Sequence, residues 1–166
     1  MRKLSAVLTL LLTLLGISAI STSPASASVS SWGIFDNTNG WYHACATPQG
    51  NGTGNGTVIT TWDCTGSDLQ QWGWDRNHLV HKVSGKCLTP SGNGSDVNGA
   101  VLTLWTCDYS YGSPQEFVSS QYNTYTVFGG KCITNKGGSL TNGTWLTLWS
   151  CAADNPQEQQ WSGYWI

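Results

Sequence analysis

The 166-residue chain carries 7 basic and 9 acidic side chains, a formal net charge of −2; only 10% of its residues are charged, while 20 are Gly and 10 are Trp. A mildly acidic chain without Lys/Arg clusters argues against nucleic acid and anionic membranes as partners. A surface of Asn, Thr, Ser, Gly and aromatic groups suits neutral, hydroxyl-rich ligands instead.

The chain opens with Met1-Arg2-Lys3, an apolar run from Leu4 to Ile20, and a small-residue stretch ending Ala25-Ser26-Ala27. This pattern is that of a secretory signal peptide over 1–27. A membrane-spanning helix is the weaker reading, because the apolar core is short and a cleavage site follows it. Cleavage leaves 28–166, one domain's length, with no second hydrophobic segment, so the product is expected to be soluble and extracellular. Loss of Arg2 and Lys3 takes seven basic residues to five against nine acidic, a formal charge of −4.

From Ser30 onward, short apolar or alternating runs are cut by Gly, Asn and Ser, and no helical period is sustained; the reading is all-β. In chain order the predicted strands are 32–35, 41–45, 58–62 and 71–74, then 78–82, 86–88, 100–105 and 115–119, then 125–128, 131–134, 145–149 and 160–165. The grouping follows an internal repeat of about 42 to 45 residues. In each copy a Cys is followed two residues later by Thr, and an Asn-Gly precedes a Trp by seven positions. The three sets are Cys45, Thr47, Asn55-Gly56, Trp62 and Cys64; Cys87, Thr89, Asn98-Gly99, Trp105 and Cys107; and Cys132, Thr134, Asn142-Gly143, Trp149 and Cys151. The repeats run over about 31–75, 76–120 and 121–166.

Six cysteines allow fifteen pairings. The repeat selects Cys45 to Cys64, Cys87 to Cys107 and Cys132 to Cys151, since each copy then closes its own loop. Export favours disulfides, and each loop closure stabilises by roughly 3 kcal/mol in the chain-entropy model. No Cys-x-x-Cys pair points to a metal. The Asn-Gly pairs at 51, 55, 93, 98 and 142 read as turns, because both residues tolerate positive φ. Four of them are also formal glycosylation sequons. Each copy ends on a Gln-x-aromatic element: Gln70-Gln71-Trp72, Gln115-Glu116-Phe117 and Gln159-Gln160-Trp161. The aromatic is expected to point inward and the Gln to bond loop backbone.

With its Gly-Lys-Cys or related starts, Leu-Trp-x-Cys closures and Gln-x-Trp endings, the chain resembles the ricin B-chain-like lectins, carbohydrate-binding module family 13, over about 31–166. The resemblance implies a β-trefoil of about twelve strands, with six hairpins and one shallow sugar site per repeat. Sugar-binding members carry an Asp two residues after the first Cys. Here Thr47, Thr89 and Thr134 stand there, forgoing the charge-assisted hydrogen bond a carboxylate makes. The Asn before the closing Gln is replaced by Leu69, Pro114 and Glu158. The stacking aromatic is kept as Trp62, Trp105 and Trp149. The third lobe is the favoured candidate site, with Thr134, Asn135, Trp149, Glu158 and Gln159, because Asn135 replaces Pro48 and Pro90 and Glu158 offers an acceptor. Thr47, Trp62, Gln70, Thr89, Trp105 and Gln115 are weaker candidates. A Trp beside a disulfide also has a purely structural reading, as its shield.

No enzyme is expected, and no cofactor or metal. A glycosidase needs two suitably spaced carboxylates, and the few acidic residues, such as Asp63, Asp68 and Asp108, fall mostly in loops. No Gly-x-Ser-x-Gly elbow occurs. His78 and His81 lie on opposite faces of one strand. Two functions stay open: a secreted glycan-binding lectin, or a protein-binding trefoil using Trp41, Tyr42, Tyr109, Tyr111, Tyr164 and Trp165 as its contact surface.

Overall fold

In the computed structural model, residues 28–39, 42–120 and 123–165 are described. The leader therefore lies outside them, as does Trp41. Short runs with one buried face and frequent turn residues produce twelve strands: β1 (Gly33–Asn39), β2 (Tyr42–Pro48), β3 (Ile59–Asp63), β4 (Gln71–Asp75), β5 (His78–His81), β6 (Cys87–Pro90), β7 (Leu102–Trp105), β8 (Phe117–Ser119), β9 (Thr124–Thr126), β10 (Lys131–Asn135), β11 (Leu146–Ser150) and β12 (Trp161–Trp165). Every predicted strand overlaps one of these.

Six strands close a barrel. β1 pairs with both β12 and β4, β4 pairs with β5, and β8 with β9, all antiparallel. A bridge between His78 and Glu116 links β5 to the start of β8, and Thr124 Oγ1 donates to the Trp161 carbonyl at 3.0 Å, tying β9 to β12. The other six form the hairpins β2–β3, β6–β7 and β10–β11, which cap one end. Each hairpin carries one disulfide, Cys45–Cys64, Cys87–Cys107 and Cys132–Cys151. Three copies of barrel hairpin plus capping hairpin make a β-trefoil.

The hairpins meet around the threefold axis through bridges Val58–Thr103, Val101–Thr147 and Thr60–Trp145. The Asn-Gly turns at 55, 98 and 142 join the same contact. Gly56 N–H donates to Leu104 O and Leu104 N–H to Thr57 O, both at 2.8 Å; Gly99 and Leu148, and Gly143 and Thr61, repeat the pattern. In these three turns only the Gly has positive φ, at 83°, 84° and 85°. At 51 and 93 the Asn itself is left-handed and follows a left-handed Gly. None of the five Asn-Gly pairs carries both positive φ values of the hairpin turn that the dipeptide suggests: those at 55, 98 and 142 are shaped by contact with another lobe, and at 51 and 93 the two positive values fall one residue earlier, on Gly-Asn.

The core is the inward face of all three lobes: Phe35, Ile59, Trp72, Leu79, Leu88, Leu102, Leu104, Phe117, Ile133, Leu146, Leu148 and Trp161. The aromatics of the Gln-x-aromatic elements point inward, as expected, each exposed by 1% or less. Trp72 also donates its Nε1–H to Ala46 O at 3.0 Å.

His81 is a buried polar member of this frame. Its ring packs 5.0 Å from that of Trp72. Nε2–H donates to Leu69 O at 3.0 Å, and Nδ1 accepts from Ser84 Oγ at 2.9 Å. Burial lowers its pKa from the ordinary 6.5, only partly opposed by the Leu69 bond. The folded state therefore binds this proton less readily than the unfolded chain, and stability falls as pH drops below about 6.5 toward the folded-state pKa. Urea unfolding across that window is expected to show this group contributing up to about 1.4 kcal/mol per pH unit. His81→Gln, which keeps a donor and an acceptor, flattens the slope.

Candidate functional site

The Thr and Gln candidates meet in every lobe, and all but the half-buried Thr47 are buried. Thr47, Thr89 and Thr134 each donate Oγ1–H to the carbonyl of the cysteine two residues earlier, at 3.0, 2.9 and 3.0 Å. The same oxygens accept from Gln70, Gln115 and Gln159 Nε2 at 3.0, 2.9 and 3.1 Å. Each Gln also donates to a carbonyl beside the second cysteine, that of Asp63, Thr106 or Ser150. Its Oε1 accepts the N–H of Thr65, Asp108 or Ala152 at 2.7 to 2.8 Å. The three Gln side chains are buried. The relay needs a hydroxyl, which gives one proton and accepts another; an ionised carboxylate has none to offer the cysteine carbonyl. Both groups are committed to the fold.

The Trp candidates sit differently. Trp62, Trp105 and Trp149 are 47%, 48% and 50% exposed. Each lies over the glycine of an Asn-Gly turn in another lobe: a Cβ at Gly56 would stand 3.7 Å from Trp105, at Gly99 3.8 Å from Trp149, and at Gly143 3.7 Å from Trp62. Their half-exposed indoles therefore rest on backbone rather than shielding only their own disulfides.

In the third lobe, Asn135 is fully buried and neither amide atom meets a hydrogen-bond partner. It has no route to a ligand in this conformation, which removes one of the two reasons for preferring that lobe and leaves the other, Glu158. Glu158 is half-buried, its Oε1 3.6 Å from where a Cβ on Gly138 would lie. The structure thus brings Thr134 and Gln159 together inside, and leaves Trp149 and Glu158 at the surface.

The large groove belongs to the second lobe. Its volume is about 910 Å³, and its walls include Trp105, Asp108, Ser91, Asn93, Pro114 and, from the other lobes, Val58 and Trp145. Thr89 and Gln115 lie at its floor. Asp108 accepts Ser110 N–H at 3.0 Å and Ser110 Oγ–H at 2.7 Å, and these bonds hold its carboxyl below the usual range. An ionised, exposed acceptor therefore stands on the rim. A smaller cavity of about 410 Å³ involves Asp63, Leu140, Thr141 and Asn142. Sequence reasoning missed Ser91, Asn93, Asp108 and Trp145 as groove residues. Trp145 is visible in the repeat only as a departure from Val58 and Val101.

Of the aromatics proposed for a protein contact, Trp41 and the side chains of Tyr42, Tyr164 and Trp165 lie outside the described residues. Tyr109 is half-buried, its ring 4.6 Å from that of His78 and beneath the Arg76 guanidinium at 5.2 Å. Burial, then the Asp75 carboxylate, push its phenol up to about 12. It belongs to the interior edge rather than to an open contact surface. Tyr111 is 94% exposed and meets Phe128 edge-on at 5.6 Å.

The model of the ricin-type beta-trefoil lectin domain matches residues 28–103 and 85–165, together almost the whole of the described chain. This protein belongs to the ricin-type β-trefoil lectin family. Among solved structures, this trefoil lectin domain superposes on the designed threefold-symmetric protein ThreeFoil with a TM-score of 0.67 and 20% identity, over 80% of this chain and 96% of that one. The earthworm R-type lectin C-half, solved in complex with GalNAc, gives 0.64 and 13%, over 82% and 99%. These likenesses concern the fold. A 68-residue stretch is 40% identical to the Salmonella typhimurium protein named "Probable lipoprotein EnvE", covering 40% of this chain and 38% of that protein. The match thus spans well under half of that relative's length. The lectin family supports carbohydrate binding as the class of function.

Asn135 has a consequence for stability. Its φ of −69° and ψ of 126° nearly equal those of Pro48 and Pro90, within the range proline imposes. Asn135→Pro removes two unsatisfied buried polar atoms and restricts the unfolded chain. It is expected to raise the unfolding free energy by about 1 kcal/mol or more, read as a higher urea midpoint with unchanged slope.

Proposed function

We propose that this protein is an exported, non-catalytic lectin that binds glycans in the groove of its second lobe. The observation that carries the reading is the half-exposed indole of Trp105 on the wall of that groove, with the ionised Asp108 carboxylate and the polar Ser91 and Asn93 beside it. An indole covers the apolar face of a pyranose while the ring's hydroxyls find partners at the rim. Asp108 supplies the charge-assisted acceptor that Thr89, committed to Cys87 and Gln115, does not. The earthworm lectin bound to GalNAc, a neutral sugar, is consistent with this chemistry. Trp149 with Glu158 forms a second, poorer candidate in the third lobe, and Trp62 a third in the first. Export is supported by the leader pattern over 1–27 and by six cysteines all paired in disulfides, which persist in oxidising compartments. A non-catalytic role is supported by the lectin family to which the chain belongs.

A protein-binding role is the second reading, favoured by the exposed Tyr111–Phe128 pair. A glycan array separates the two, since a protein-binding trefoil leaves it blank.

Trp105→Ala is expected to abolish most array binding with a small fall in melting temperature, because the indole lies over Gly56 and is about half exposed. Trp161→Ala, which opens a cavity in the core, is expected to cost about 3 to 5 kcal/mol of stability. Trp149→Ala keeps most binding. Wild-type binding by the Trp105→Ala protein overturns the assignment of the groove.

A further inference from the structure

The threefold pattern is broken at one position that opens on the groove. The three cap turns read Asn55-Gly56-Thr57-Val58, Asn98-Gly99-Ala100-Val101 and Asn142-Gly143-Thr144-Trp145. The bridges Val58–Thr103, Val101–Thr147 and Thr60–Trp145 confirm that Val58, Val101 and Trp145 are structural equivalents around the axis. All three line the groove. Two lobes therefore place a small aliphatic group at its inner end, and the third places an indole.

One contact holds the Trp145 backbone and another restrains its indole. Lys136 N–H donates to Trp145 O at 2.9 Å, and Lys136 Nζ lies 4.6 Å from the centre of the Trp145 ring. A cation over one face of an indole is attracted by the ring quadrupole and restrains it, which leaves the rest of the ring to the groove. Gln49 and Ser91 occupy the place of Lys136 in the other lobes, so the pair is peculiar to the third. Trp145 remains 37% exposed. Trp105, 48% exposed, walls the same groove from a different lobe. The volume of about 910 Å³ lies near the upper end of the ~300–1,000 Å³ typical of small-molecule pockets, more than one pyranose ring fills.

Resting on the glycan-binding reading above, we propose that Trp145 is a second stacking platform, and that the groove takes an oligosaccharide of at least two rings, one on Trp105 and one on Trp145. Trp145 is then a specificity-determining residue contributed by the third lobe to the second lobe's site, and Lys136 is its positioning residue.

The test uses full-length mature protein and β-linked galacto-, xylo- and gluco-oligosaccharide series of one to six units, first arrayed and then titrated in solution. For the series that binds, wild-type affinity is expected to rise about tenfold or more from one unit to two or three and then level off. Trp145→Val, which installs the residue of the other two lobes and so keeps the fold, is expected to flatten that rise to about twofold or less. Lys136→Met is expected to give an intermediate loss. Retention of the full length dependence by Trp145→Val overturns the proposal while leaving the Trp105 groove standing, as does equal wild-type affinity for one and six units. A wild-type protein that binds no member of any series, on an array whose control lectins bind, overturns the glycan-binding reading and this one with it.

Discussion

The relay from glutamine to threonine to cysteine carbonyl is the constraint on which each lobe depends. A buried Gln side chain has two donors and an acceptor to satisfy, and leaving any of them unmet costs about 1 to 3 kcal/mol. Gln70, Gln115 and Gln159 satisfy theirs on Thr47, Thr89 and Thr134 and on backbone flanking the second cysteine. The Gln thus clamps both ends of the disulfide loop to the strand that carries the inward aromatic. Disulfide, relay and buried aromatic are one unit repeated three times, and the barrel closes because the three units share one core.

Between units the joint is backbone. The glycine of each cap turn donates its N–H to the capping strand of another lobe, the carbonyl of the next residue accepts one in return, and a Trp from that strand lies over the glycine. This arrangement gives the three indoles two tasks. They cover the stitched turns, and they keep roughly half their surface outward. A ligand platform that already rests on rigid backbone loses little side-chain freedom on binding, which favours affinity for a given contact area.

Repetition made the fold legible from the amino-acid sequence. The spacing of Cys, Thr, Asn-Gly and Trp located the hairpins, their disulfides and the inward Trp72, Phe117 and Trp161, because a local pattern repeated three times reports a local geometry. The site was less legible because it is built across repeats. Asn135 looked like an extra polar group for a sugar, yet its side chain turns into the interior where Pro48 and Pro90 sit. Thr134 and Gln159 looked like surface ligands, yet they meet each other beneath it. Trp145 reaches the second lobe's groove from the third, a relationship visible only once the hairpins are closed around the axis.

The same comparison explains why one lobe is distinguished in a nearly symmetric molecule. An indole in place of valine at the inner end of the cap changes one groove most, and Asp108, following the second cysteine, puts a carboxylate at its outer rim where Thr65 and Ala152 stand in the other lobes. On the proposed glycan-binding reading, and with few charges available elsewhere, recognition rests on stacking and on hydrogen bonds of which only that to Asp108 is charge-assisted. If the groove takes an oligosaccharide as proposed, discrimination comes from its length and shape rather than from the strength of any one contact, and replacing a single apolar residue near the axis changes what such a groove selects.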